Sequence, residues 1–115
     1  MVSIAEYNAL AIAFEGSSEE PHFEKSSFRV NKKIFTTLDS TNRRVCVKLS
    51  EIDQSAFGAF DSTIIYPIPN KWGKMGWTFI ELDKVNPEVL KDALICAYCE
   101  VAPKKLAEKY KRSEF

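Results

Sequence analysis

Residues 28–49 read FRVNKKIFTTLDSTNRRVCVKL. Two runs rich in β-branched and aromatic side chains, Lys33–Leu38 and Arg44–Leu49, flank the polar turn Asp39-Ser40-Thr41-Asn42-Arg43. In the second run Val45, Val47 and Leu49 alternate with Arg44, Cys46 and Lys48, the period-two pattern of a half-buried strand. In the first run, Ile34 and Thr36 should face one way and Lys33, Phe35 and Thr37 the other. Upstream, His22–Phe28 is a weaker strand candidate anchored on Phe23, preceded by a turn over Ser17–Pro21. Arg29–Lys32 reads as a tight connection, with Asn31 able to take positive φ. The three segments form an antiparallel meander.

The flanks supply helices. Ser3 and Glu6 make a capping box, and Ile4, Tyr7, Leu10, Ala11 and Phe14 follow at helical spacing up to Gly16. Ser50 with Glu51 and Asp53 starts a second helix, expected to reach Phe60 and to bury Ile52, Ala56, Phe57 and Phe60. Thr63–Tyr66 and Trp77–Leu82 are further strands. The glycine-punctuated loop Asn70–Gly76 joins them, and Trp77 is expected in the core. Asn86-Pro87-Glu88 opens the strongest helix, ended by Pro103 and followed by a basic amphipathic tail helix. The expected order is α-β-β-β-α-β-β-α-α. This is one α+β domain over residues 1–115, an antiparallel sheet of about five strands with helices packed on one side.

Net charge is zero over 115 residues, but it is segregated. Residues 1–24 carry five acidic groups and no basic one, whereas residues 25–50 carry seven basic groups against Asp39 alone. A neutral chain excludes a general polyanion binder and still permits a basic face. No apolar run is long enough to span a bilayer. The N-terminus has neither a basic n-region nor a small-residue cleavage pattern, so a cytoplasmic location is expected. Three cysteines, an odd count, fit free thiols in a reducing compartment.

Catalytic chemistry finds no anchor in these residues, so a non-enzymatic protein without metal or cofactor is expected. Cys96-Ala97-Tyr98-Cys99 falls well inside a helix, away from the N-terminal dipole that activates redox CxxC thiols. Zinc would need two more ligands, and only Cys46 and His22 remain. No nucleophile elbow, phosphate loop or dinucleotide fingerprint is present. Lys71-Trp72-Gly73-Lys74-Met75-Gly76-Trp77 does interleave lysine with tryptophan, a pattern able to hold phosphate and stack on a base.

The motifs Phe28-Arg29-Val30, Lys33-Ile34-Phe35, Val47-Lys48-Leu49 and Gly76-Trp77 occur in that order. A long helix follows, ending Ala97-Tyr98 and Val101-Ala102-Pro103-Lys104. In this order and spacing the chain, over residues 3–110, resembles the YjbR/MmcQ family of small bacterial proteins. The resemblance implies a secretion-chaperone-like or CyaY-like α+β fold and DNA binding through β-hairpins acting as a double wing. The wings here would be the hairpin bearing Arg43 and Arg44 and the loop bearing Lys71, Trp72 and Lys74. Arg29, Lys32, Lys33, Lys48, Lys71 and Lys74 are the candidates for phosphate contacts and Trp72 for stacking, with DNA as the partner. The alternative is a protein-binding adaptor whose basic face receives an acidic partner segment.

Overall fold

The computed structural model describes residues 1–111. Helix α1 (Ile4–Ile12) precedes four consecutive strands, β1 (Ser17–His22), β2 (Lys25–Val30), β3 (Lys33–Asp39) and β4 (Arg44–Lys48). Then come α2 (Glu51–Phe60), β5 (Ile65–Pro67), the single turn α3 (Lys71–Lys74), β6 (Trp77–Glu81), α4 (Pro87–Val101) and α5 (Lys104–Lys111). The strands form one antiparallel sheet in the order β1-β2-β3-β4-β6-β5. The class is the α+β one expected; the sheet has six strands rather than about five.

The additional strand is β1, which the residues SSEEPH disguise as a turn. It is an edge strand, held by backbone pairing from Ser17↔Val30 to His22↔Lys25, so it needs no apolar alternation. Its Glu19, Glu20 and Pro21 blunt the free edge against pairing with other chains. The short β5, ending at Pro67, does the same on the opposite side. Phe23 anchors nothing: it sits in the β1–β2 turn at φ 59 and is 94% exposed. Arg29 and Val30 belong to β2, and the connection contracts to Asn31 and Lys32, both at positive φ as a tight two-residue hairpin requires.

One irregularity shapes the core. The β2–β3 register passes from Phe28↔Thr36 to Arg29↔Ile34, leaving Phe35 as an extra residue. A bulge of this kind turns two successive side chains toward one side, so simple alternation fails there. Phe35 and Thr36 are therefore both fully buried. Phe35 meets Phe14 and Tyr98 edge-on, and the Tyr7 hydroxyl lies 2.9 Å from that of Thr36. Phe28, Val45, Val47, Leu90 and Leu94 complete the centre of the core.

Capping matches the sequence signals. Ser3 and Glu6 form both bonds of the capping box, and Ser50 and Asn86 cap α2 and α4. Burial of α2 does not. Its inward side carries Gln54 and Phe57, whereas Ile52 is 81% and Phe60 73% exposed, with Ala56 exposed between them. The reason is tertiary: Gln54 donates to the Gly73 carbonyl and the Thr78 hydroxyl, which fixes the helix rotation. Trp77 is half-buried on the sheet's outer face rather than in the core.

Candidate nucleic-acid interface

Because neighbouring strands run antiparallel, β2 ends, β3 begins, β4 ends and β6 begins at one end of the sheet. Arg29 is the penultimate residue of β2, Lys32 sits in the turn, Lys33 opens β3 and Lys48 closes β4. Lys71, Trp72 and Lys74 form α3, which leads into the first residue of β6. All seven sequence candidates thus gather at one end. They do not all share a face. Arg29 donates to Ser27 across the outer face at 3.1 Å, whereas Lys33 pairs with Val30, on the helix-covered side.

The α3 turn is a rigid mount. Asn70 caps it by accepting from the Trp72 amide at 2.8 Å, and Lys71 lies 5.8 Å from the Trp72 ring. Trp72 is 48% exposed. Lys48 is the least available cation, with Glu100 3.8 Å away. That contact brings the C-terminal end of α4 to the same edge, and with it Lys104 and Lys105 at the start of α5. The sequence reading did not single out these two lysines; the basic excess of the tail was the signal. The acids nearby are partly engaged: Lys109 holds Glu15 at 2.7 Å, and Glu51 and Asp53 sit in the first turn of α2.

The proposed first wing lies elsewhere. The β3–β4 turn is at the opposite end of the sheet from α3. Arg43 is bound to Asp83 at 2.6 Å. Arg44 lies over the Phe79 ring at 4.0 Å, and one of its terminal amines is 3.4 Å from the Tyr66 hydroxyl. The Tyr66 hydroxyl in turn donates to Glu81. The bond to Tyr66 holds the Arg44 guanidinium above its ordinary pKa, and burial raises that of Tyr66.

Thiol chemistry is muted. Cys46 is buried in the sheet's outer face, and burial pushes its thiol up to about 12. The Cys99 thiol is spent on the Ala107 carbonyl. Among the described residues no group of three or more His, Cys, Asp and Glu side chains could hold a metal ion. No described helix is long and apolar enough to cross a membrane.

The YjbR family model matches residues 12–100, from the end of α1 through nearly all of α4. The chain belongs to the YjbR family. Among solved structures, this YjbR chain is similar to a Deinococcus radiodurans protein with a DUF419 domain, at 18% identity and a TM-score of 0.78. The alignment covers 96% of this chain and 89% of that one, and at this identity it speaks to the fold alone. Comparison with curated proteins gives no match.

Proposed function

We propose that this YjbR protein is a non-enzymatic, cytoplasmic nucleic-acid-binding module, with DNA the expected partner. It would grip the phosphate backbone with the basic end of its sheet. The observation that carries the reading is the convergence of Arg29, Lys32, Lys33, Lys71 and Lys74, with Lys104 and Lys105, at one end of a molecule whose net charge is zero. Phosphate contacts of this kind set affinity without reading sequence. The double wing narrows to a single structure, the β2–β3 turn together with α3, since Arg43 and Arg44 are engaged at the far end. The test is fluorescence anisotropy with a labelled duplex over a salt series. Binding should weaken steeply with salt, and Lys32→Gln, Lys33→Gln, Lys71→Gln and Lys74→Gln should each lower the log–log slope by about 0.9. Arg43→Gln should leave it unchanged. No binding at low salt, or binding indifferent to salt, would falsify the reading.

A second reading, a protein-binding adaptor, is favoured by one observation: the outward stripe Ile52, Ala56 and Phe60 on α2. Its occupant would be an acidic segment with apolar anchors, facing Lys71 and Lys74 on the neighbouring turn. Photo-cross-linking from position 56 in living cells tests it. Capture of one acidic partner segment supports the adaptor, and capture of nucleic acid alone sinks it.

A further inference from the structure

The helices leave one face of the sheet open, and register shows what it carries. Cross-strand partners share a face, so Tyr66, Phe79, Cys46 and Thr37 form one row across β5, β6, β4 and β3. Trp77 and Lys48 form the next row toward the basic end, and Glu81, Arg44 and Asp39 the next away from it. Three aromatic side chains, Tyr66, Trp77 and Phe79, thus sit half-exposed on two adjacent strands. The Arg44 guanidinium carbon lies 4.0 Å from the centre of the Phe79 ring, and Tyr66 meets Phe79 edge-on at 5.7 Å.

We infer that this face is a stacking platform for single-stranded nucleic acid, continuous with the basic end. The inference rests on the nucleic-acid reading above and deepens it by naming the strand state. A planar guanidinium held over a ring offers its other side to a base, and aromatic rows stack bases without regard to sequence. A cation is in place for the backbone. Arg29 meets only the Ser27 hydroxyl among the described residues, whereas Arg44, held by the Phe79 ring and the Tyr66 hydroxyl, serves as a plane for stacking and not as a phosphate contact. The acids of this face are each held by a neighbouring donor and keep their charge. Glu81 receives the Tyr66 hydroxyl, and Asp39 receives the Asn42 amide and side chain at 3.2 and 2.8 Å. Duplex DNA hides its base faces and cannot use such a surface; a single strand can.

The chain has two tryptophans, so Trp72→Phe leaves Trp77 as the reporter indole. In that background, oligothymidylate and oligouridylate of about a dozen nucleotides are titrated beside a duplex of equal length at fixed salt. Stacking predicts quenching of Trp77 and tighter binding of one or both single strands than of the duplex, the two arms separating DNA from RNA. Arg44→Lys keeps the charge and removes the plane. It should weaken single-strand binding about fivefold or more, the low end for one stacked base, with the salt slope unchanged. Equal affinity for single and double strands with unquenched Trp77 overturns the platform while the basic-end reading stands. So does an unaffected Arg44→Lys variant. Absence of binding to any of the three probes overturns both.

Discussion

The two glycines of Lys71–Trp77 are structural. A Cβ on Gly73 would stand 1.9 Å from the Ile68 carbonyl oxygen. One on Gly76 would stand 1.9 Å from that of Leu49, at a residue whose φ is +105. Two backbone segments touch at each point, and the Leu49 amide donates to the Gly76 carbonyl at 2.9 Å. These contacts seat α3, and therefore Lys71, Trp72 and Lys74, against the sheet. Gly76→Ala should cost about 3 kcal/mol or more, since positive-φ strain alone runs to about 1–3 kcal/mol and backbone must also move. Gly58 is the opposite case. It lies mid-helix in α2 with its nearest neighbour 3.9 Å from an added Cβ, so Gly58→Ala should stabilise by up to about 1 kcal/mol. Urea unfolding of both variants reads the contrast; destabilisation of equal size in the two would overturn the account.

Between elements, the most consequential polar link joins α1, β3 and β4. Thr36 donates its hydroxyl proton to the Cys46 carbonyl at 2.8 Å, so Tyr7 must donate to Thr36. Burial raises the Tyr7 pKa, which keeps the phenol a donor at any physiological pH. The chain of bonds makes the two residues unequal. Tyr7→Phe removes one donor and leaves Thr36 bonded, at a cost of about 1 kcal/mol. Thr36→Val strands the Tyr7 phenol in the core, while the Cys46 carbonyl keeps its place in the sheet ladder, at a cost of about 1–3 kcal/mol. Chemical denaturation of the two single variants and the double variant measures this. If Thr36→Val proves no worse than Tyr7→Phe, the donor order is wrong. The bulge sets Phe35 beside Thr36 on the helix-covered side, so an aromatic ring packs next to this link.

At the scale of the molecule, burial of acid groups sets the alkaline limit. Cys46 is raised from 9.0 to about 12 and Tyr98 from 10.0 to about 12, in both cases chiefly by desolvation. Above pH 9 the unfolded chain sheds these protons first, so it binds fewer than the folded one and stability falls as pH rises. The contribution is whole below pH 9 and declines through the window from 9 to 12. Midpoints of denaturant unfolding between pH 8 and 11 should drop progressively, and Cys46→Ala should flatten the early part of that drop. A flat profile to pH 11 would show that the thiol is not desolvated. The sequence by itself determined a good deal of this protein: the α+β class, the three helix caps, the alternation of β4 and the order of motifs that marks the family. Each of these is local, read from spacing within a few residues. What only the tertiary structure decided is non-local. Backbone pairing made β1 a strand, a single bulge reversed the side of Phe35, and the bonds of Gln54 turned Ile52 and Phe60 outward. The antiparallel order of strands placed Lys32, Lys33, Lys48 and Lys71 at one end and Arg44 at the other. Charge segregation along the chain is visible in the sequence, but which charges meet depends on strand direction, and that is set by the fold.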